Sequence, residues 1–215
     1  MHGIESIVAP VITIHPQGFS VPEKMPAALL LTSRHAAPAL AALPAGWRSL
    51  PVYCVGSATA QKAAAQGFTN ILAGDADVLS LLPRVANDVA ADNTVFYLAG
   101  EEVSVDIAPL LPALQVIQST VYRAETVAQL PNAMLTAQDE ITAVTFFSAR
   151  SARIANQLLV DAGMQEKARI LDAFCLSLHV AEAAGQLPYR RIHTCYQPTR
   201  EAMRDLIVSQ RCKTL

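Results

Sequence analysis

The chain has 215 residues, of which 52% are hydrophobic and 16% are charged, and its formal net charge at pH 7 is −2. This composition excludes a disordered chain, and the slightly acidic balance argues against a nucleic-acid binder, which needs a basic surface. The apolar runs are too short to span a bilayer and the chain opens with no secretory signal, so we expect a cytoplasmic protein that does not contact membranes.

The first half of the chain alternates short apolar runs with Ala-rich segments, which is typical of βα units and a parallel sheet. Four buried strands are predicted, at residues 28–32, 50–55, 70–73 and 94–98. Helices are predicted between and after them, at residues 36–42, 58–66, 77–90 and, more weakly patterned, 103–111. Together they predict an α/β lobe at residues 17–113.

The second half repeats this pattern. Strands are predicted at residues 143–147, 168–175 and 191–195, followed by a last helix at 199–209, which places a second α/β lobe at residues 127–215. Two extended segments, 6–16 and 114–126, flank the first lobe and are similar in length. We expect them to pair as a two-stranded β ladder that joins two similar parallel-sheet lobes, with a cleft between the lobes.

Small polar residues and glycines follow the predicted strands of both halves at equivalent positions. In open α/β sheets, ligands bind beyond the carboxyl ends of the strands, where helix N-termini offer unpaired N–H groups and a partial positive charge. We therefore expect these residues to surround a site that holds carboxylates. The alternative is that they only cap helices. The set is Ser33, Ser57, Gly74, Gly100, Ser148, Ser177 and Thr199.

The spacing of the cysteines and glycines argues against several other kinds of site. Cys54, Cys175, Cys195 and Cys212 have no metal-binding spacing and no matched histidines, so we expect buried packing rather than zinc binding or a disulfide framework. A phosphate or nucleotide binder is weakly supported, because neither a Gly-x-Gly-x-x-Gly motif nor a P-loop occurs.

The order and spacing of six short segments resemble the uroporphyrinogen-III synthase family over nearly the whole chain. The segments are Leu31-Thr32-Ser33, Val55-Gly56-Ser57-Ala58-Thr59-Ala60, Gly74-Asp75-Ala76, Val121-Tyr122-Arg123, Phe146-Phe147-Ser148-Ala149 and Pro198-Thr199. The resemblance implies two flavodoxin-like lobes joined by a two-stranded ladder, which agrees with the fold predicted from the repeats.

The resemblance also implies a reaction. Linear hydroxymethylbilane loses its terminal hydroxyl as water, its last pyrrole ring is inverted through a spiro intermediate, and the macrocycle closes to uroporphyrinogen III. The family is a lyase that uses no metal and no organic cofactor. The implied partners are this tetrapyrrole substrate and a hydroxymethylbilane synthase that hands it over. Such a reactive substrate mainly needs to be folded into shape and given one proton donor.

Site residues follow from the same resemblance. Tyr122 matches the family tyrosine proposed as proton donor, and a phenol stays protonated at neutral pH because its free pKa is about 10. Hydroxyls and backbone amides would take the substrate's carboxylates, and two arginines would add charge-assisted hydrogen bonds. The hydroxyl positions are Ser33, Thr59, Ser148 and Thr199, the arginines are Arg34 and Arg150, and further substrate contacts are expected at Gly56, Ser57, Gly100, Ser177, His179 and Pro198.

Two departures from the family pattern stand out. A Gly-Pro-Thr/Ser-type turn of the second lobe is replaced here by Ser177-Leu178-His179-Val180, where His179 is either a substrate contact or a surface histidine. Family members also begin with a strand, a Thr-Arg-Pro-type turn and a helix ahead of Met1, so we expect the second lobe to lack that strand and helix. The competing interpretation of the chain is a noncatalytic two-lobed tetrapyrrole-binding protein or degenerate paralogue.

Overall fold

A computed structural model describes residues 4–74 and 77–211. It divides the chain into two compact units, Ile14–Glu125 (the first unit) and Met1–Thr13 with Thr126–Leu215 (the second unit). Three residues of the sequence predictions, Asp75, Ala76 and Cys212, lie outside the described residues. Over the described ranges, no helix is both long enough and apolar enough to cross a membrane.

The larger of the two sheets has six strands in the order β1-β6-β5-β2-β3-β4. In this sheet β2 pairs in parallel with β3 and β5, β3 with β4, and β5 with β6. The four strands predicted for the first half are confirmed as β2 to β5. The bounds are Ile12–Pro16 (β1), Ala28–Leu31 (β2), Val52–Val55 (β3), Ile71–Gly74 (β4), Thr94–Gly100 (β5) and Gln115–Thr126 (β6).

Both faces of this sheet are covered, which is why β2 is buried along its whole length. Leu29 and Leu31 pack on one face with Ala63 of α1 (Ser57–Ala65). Leu30 packs on the other face with residues of α2 (Val78–Asp88). The period-2 alternation of a strand thus supplies two hydrophobic cores at once, as a parallel sheet requires.

Two helices predicted for the first half are shorter or tighter in the structure. The segment Ala37–Ala42 is a 3₁₀ helix with a proline in its first turn, and a second 3₁₀ turn, Ala45–Trp47, follows it. The helix predicted at 103–111 was wrong beyond a single 3₁₀ turn, Ala108–Leu110. There the Asp106 side chain accepts a hydrogen bond from the Ala108 N–H (3.2 Å), and such local bonding competes with a regular helix.

The strand β6 pairs with a neighbour on each side, whereas the sequence predicted pairing with one segment only. Its first half pairs in parallel with β5, from Gln115 to Thr120, so the segment expected only as a ladder is also a strand of the large sheet. Its neighbour on the other side is β1. Backbone bonds from Gln17 N to Val121 O (2.9 Å) and from Val127 N to Val11 O (3.1 Å) show that β1 and β6 run antiparallel.

The second unit holds a parallel sheet in the order β7-β8-β9, Ala143–Phe146, Asp172–Cys175 and Arg191–Thr194. The strand predicted from residue 168 begins only at Asp172, because Gln165–Ile170 forms a 3₁₀ helix ahead of it. The expectation that this unit lacks a strand and helix found in the family stays a prediction. Its helices are Asn132–Thr136 (α3), Ala149–Asp161 (α4), Leu178–Ala184 (α5) and Arg200–Arg211 (α6).

One buried polar side chain ties two helices of the second unit together. Asn156 of α4 is 4% exposed, and its Nδ2 donates to the carbonyl oxygens of Ala183 and Ala184 at the end of α5, each at 3.1 Å. Its Oδ1 accepts a hydrogen bond from the Tyr189 hydroxyl (2.9 Å). These partners satisfy the amide on both sides, so its burial does not leave an unpaired polar group.

Candidate functional site

A cavity of about 420 Å³ opens in the first unit beside the carboxyl ends of β2, β3 and β5, next to Tyr122 in the interior of β6. Three residues predicted from sequence line it: Ser33, Gly100 and Tyr122. The site is therefore at the sheet edge where open α/β folds bind ligands. Its polar lining includes Thr32, Ser33, Asp77, Tyr97, Glu102 and Tyr122.

Tyr122 owes its position to an irregularity between β5 and β6. The register of the two strands shifts between Ala99 and Gly100, so that Gly100 rather than a larger residue lies opposite Tyr122. The Glu101 N–H donates to the Tyr122 carbonyl oxygen at 2.9 Å and fixes the shifted pairing. A Cβ on Gly100 would lie 2.6 Å from Tyr122 Cζ and 2.8 Å from its hydroxyl. The phenol thus lies against a backbone position that only glycine leaves free.

A second tyrosine contributes to the same cavity. Tyr97 of β5 is 2% exposed, and its hydroxyl shares a 2.9 Å hydrogen bond with Thr32 Oγ1. Burial raises the pKa of Tyr97, against the Thr32 hydrogen bond, while the nearby Tyr122 raises it further. The pair therefore forms a protonated, hydrogen-bonded part of the cavity wall. The sequence predictions included neither Tyr97 nor Thr32 as a site residue. A tyrosine near the end of a buried strand indicates a hydrogen-bond partner close by, because a buried hydroxyl needs one.

The turn after β2 brings a histidine to Tyr122. The His35 N–H donates to Ser33 Oγ (3.2 Å) and the Ala36 N–H donates to Ser33 O (3.0 Å), so Ser33 organises the turn with both its side chain and its backbone. The His35 and Tyr122 rings are 5.8 Å apart between centroids and tilted by 53°. Burial, followed by the charges of Arg34 and Lys62, lowers the pKa of His35 and favours the neutral imidazole. The sequence analysis did not select His35.

The other residues predicted in the first unit do not line this cavity. The Gly56 N–H donates to the Gly74 carbonyl oxygen (3.0 Å), and its φ of +76° suits glycine at the start of α1. Ser57 is exposed at the first position of that helix, whereas Thr59 is only 4% exposed within it. Arg34 is exposed. The substrate contacts assigned to these four residues stay predictions.

In the second unit, three of the predicted hydroxyls cap helices. Ser148 Oγ accepts a hydrogen bond from Ser151 N (3.0 Å) and donates one to Ser151 Oγ (2.8 Å). Ser177 Oγ accepts from Val180 N (3.4 Å), and Thr199 Oγ1 accepts from Ala202 N (3.1 Å). The capping expected as the alternative is therefore observed at all three, and any carboxylate contact must use their remaining bonding capacity.

The remaining predicted residues of the second unit are exposed. They are Arg150, His179 and Pro198. His179 Nδ1 lies 3.7 Å from Glu182 Oε2, one helical turn further along α5. Large exposed apolar side chains follow the three strands of this unit, namely Phe147, Leu178 and Tyr196. The carboxyl edge of the second sheet thus combines helix caps with apolar surface, and the substrate roles assigned there stay predictions.

The solved structures that align with this chain include uroporphyrinogen-III synthases. The enzyme from Helicobacter pylori 26695 aligns over 93% of this chain and 91% of its own, with a TM-score of 0.67 and 15% identity. Two structures of the enzyme from the extremely thermophilic bacterium Thermus thermophilus align with lower scores. The wild type covers 88% of this chain and 78% of its own (TM-score 0.42, 17% identity), and a mutant form covers 94% and 86% (TM-score 0.49, 15% identity).

Sequence comparisons give a family but no individual relative. A search of curated protein sequences finds no match. The family model described as Uroporphyrinogen-III synthase HemD matches residues 1–205, which is nearly the whole chain. The fold shared with the Helicobacter pylori structure agrees with that match. The chain belongs to the uroporphyrinogen-III synthase family, an enzyme family of heme biosynthesis.

Proposed function

We propose that the cavity beside Tyr122 is where this synthase acts on the hydroxymethyl end of hydroxymethylbilane, with Tyr122 as the catalytic proton donor. Family membership supplies the reaction, and one observation supports the site. The Tyr122 phenol lies against Gly100 and lines the cavity beside the carboxyl ends of β2, β3 and β5. A phenol is a suitable donor because it keeps its proton at neutral pH and can transfer it to a departing hydroxyl.

The proton balance of the reaction needs only one proton donor, the Tyr122 phenol. The C–O bond of the hydroxymethyl carbon breaks, and the hydroxyl leaves as water with the proton that Tyr122 donates. The methylene carbon left behind bonds to the substituted α-carbon of the last ring, which gives the spiro intermediate. The older bond from that α-carbon to its bridge carbon then breaks, the free α-carbon of the same ring bonds to this bridge carbon to close the inverted macrocycle, and that free α-carbon loses its proton. That proton restores the phenol, so the enzyme ends the cycle unchanged and the net loss is one water.

The charges that line the cavity favour this end of the substrate over its carboxylates. Among the described residues of the lining, Asp77 and Glu102 are acidic and none is basic. Acidic side chains repel carboxylates, whereas a pyrrole N–H and a hydroxyl can donate hydrogen bonds to such groups. We therefore propose that the acetate and propionate groups contact predicted residues outside this lining, namely Arg34, Thr59, Ser148, Arg150 and Thr199. Ser33 and Gly100, which line the cavity, would contact the hydroxymethyl end, and Gly56, Ser57, Ser177, His179 and Pro198 stay proposed as further substrate contacts.

The rest of the family's properties belong to the same proposal. The enzyme works without metal or organic cofactor, in the cytoplasm, and receives its substrate from hydroxymethylbilane synthase. Two flavodoxin-like lobes, 17–113 and 127–215, are joined by a ladder of the segments 6–16 and 114–126. The antiparallel pairing of β1 with β6 supports that ladder.

Replacing Tyr122 tests the proposed role. Hydroxymethylbilane is generated enzymatically, and the rate at which Tyr122→Phe forms uroporphyrinogen III is compared with that of the wild type. We expect kcat to fall by about tenfold or more, within the range that positioned proton donors contribute, with KM little changed. The matched control is Tyr196→Phe, which removes a hydroxyl from an 85% exposed tyrosine of the second unit. Equal kcat for Tyr122→Phe and the wild type would rule out Tyr122 as the donor.

A further inference from the structure

Among the described residues, His35 is the one whose ring packs on the ring of Tyr122. The centroids are 5.8 Å apart with the planes tilted by 53°, a geometry in the range of favourable aromatic pairs. Hydrogen bonds hold the backbone of His35 in this turn, because its backbone N–H donates to Ser33 Oγ and the Ala36 N–H donates to Ser33 O. The turn after β2 thus presents an aromatic ring to the proposed donor.

The charges that face His35 come from two neighbouring elements. Burial disfavours a positive imidazole most, followed by the charges of Arg34 in its own turn and Lys62 on α1. The titratable group facing it from β6 is Tyr122. At neutral pH the ring against Tyr122 is therefore uncharged. Because the pKa of His35 is lowered, its imidazole gains a proton only at a pH below the ordinary histidine range, and it then joins two other cations.

We propose that His35 is a positioning residue for Tyr122, that its neutral ring holds the phenol against Gly100, and that protonation of His35 loosens this hold. The proposal rests on the proposed role of Tyr122 as donor. Besides the buried cluster on which Tyr122 packs, the phenol contacts the Gly100 backbone near its hydroxyl and the His35 ring. Removing the His35 ring gives the phenol room to shift, and a misplaced proton donor loses rate.

Nuclear magnetic resonance tests the contact without depending on activity. The protein is labelled with tyrosine that carries ¹³C at Cζ, so each of its five tyrosines gives a signal. The signal of Tyr122 is identified because it is absent from the spectrum of Tyr122→Phe. Between about pH 8 and pH 5 we expect this signal to shift with the titration of His35. The shift should vanish in His35→Phe and persist in His15→Gln, which removes a histidine that instead contacts Glu125 (3.1 Å). A Tyr122 signal that ignores pH, or responds equally in His35→Phe, overturns the proposal.

Kinetics then tests the consequence. His35→Ala should lower kcat by about three- to tenfold with KM unchanged, a factor that corresponds to the loss of one aromatic contact, and His35→Phe should recover most of that loss. The acid decline of kcat in the wild type should be weaker in His35→Phe. If His35→Ala unfolds, His35→Phe and the resonance titration still decide the question. If the wild type lacks synthase activity, the proposed function fails, and the resonance titration still measures the coupling of the two rings. If the wild type is active and both His35 variants have its kcat, only the positioning role of His35 fails.

Discussion

Gly100 lies so close to Tyr122 that a methyl group placed on it would sit 2.6 Å from the tyrosine's Cζ. No real contact of a Cβ is that short, so one of the two residues has to move in a Gly100→Ala variant. Gly100 belongs to β5, whose backbone is bonded to β2 and β6, whereas Tyr122 is half-buried with its hydroxyl at the cavity. The tyrosine ring is therefore the part that moves.

Gly100→Ala should consequently damage activity more than stability. We expect kcat to fall by about tenfold, as for a donor moved out of place, while thermal unfolding shows a small decrease in Tm. Gly46→Ala is the matched control, since a Cβ at Gly46 meets nothing within 4 Å. Steady-state kinetics and thermal melts of the two variants check this. A Gly100→Ala enzyme as active as Gly46→Ala would contradict the close packing of Tyr122 on this glycine.

The hydrogen bond between Tyr97 and Thr32 should matter to both stability and activity. Tyr97→Phe leaves the Thr32 hydroxyl without this partner, which should lower the free energy of unfolding by about 1 kcal/mol. Because the lost hydroxyl lines the cavity, kcat/KM should also fall. Tyr53→Phe is the control on the same sheet: its hydroxyl donates to Asp88 Oδ2 (3.0 Å), away from the cavity lining, so only stability should respond. Identical kcat/KM in both variants would remove Tyr97 from the site.

The Asp172 carboxylate should make the protein sensitive to acid. Its two oxygens accept hydrogen bonds from Arg190 Nε and Nη2, both at 2.9 Å, and this pairing holds the pKa of Asp172 below its usual range. A carboxyl whose pKa is lowered by folding stabilises the fold above its unfolded value, and this stabilisation is lost as the pH falls through the folded value. Urea unfolding should therefore show wild type and Asp172→Asn differing above about pH 4 and converging below it.

Asp139→Asn is the control for that titration. Asp139 pairs with Lys167 (2.6 Å) but its side chain is 84% exposed, and exposed ion pairs contribute little to stability. We expect its unfolding curves to follow the wild type across the pH range. A gap between the wild type and Asp172→Asn that stays constant from neutral pH to about pH 3 would show that the Asp172 charge is not what stabilises this edge of β8.

The buried cysteines should be inert to thiol reagents. Burial raises the pKa of the Cys54 thiol to about 12 and that of Cys175 to about 11, and it raises the pKa of Cys195 as well. The thiolate is the reactive form, so it is scarce at these sites at neutral pH. In a Cys212→Ser background, a chromogenic disulfide reagent should label no thiol of the native protein and all of the remaining thiols after unfolding in guanidinium. Rapid labelling of a native thiol would contradict the burial of these strands.

Periodicity predicted the strands well because burial on both faces leaves a continuous apolar run. Leu29, Leu30 and Leu31 show this most clearly, since successive side chains enter opposite cores. Helix boundaries were harder to predict where local side-chain bonds compete, as Asp106 does before Ala108. The parallel pairing of β6 with β5 could not be read from residues 114–126, because which neighbour a strand takes depends on the rest of the sheet.

Only some of the residues at the cavity could be predicted from the sequence, because others reach it through contacts that depend on the whole fold. Ser33 and Gly100 stand at strand ends that a pattern can locate, Tyr122 was selected from the family resemblance, and the structure brings the three together. Tyr97 and His35 join them through tertiary contacts, Tyr97 by its hydrogen bond with Thr32 and His35 by its ring contact with Tyr122. The serines of the second unit were predicted as ligand contacts and are observed as helix caps. A serine that caps a helix and a serine that binds a ligand look alike in sequence.

The isomer of the product tests the central claim most directly. Purified protein is added to enzymatically generated hydroxymethylbilane, the porphyrinogens are oxidised, and the isomers are separated by chromatography. The family assignment and the proposed site predict that uroporphyrin III becomes the main product, at a rate that rises with protein concentration and falls in Tyr122→Phe. Product that remains isomer I at every protein concentration would contradict the claim that this chain inverts the last ring.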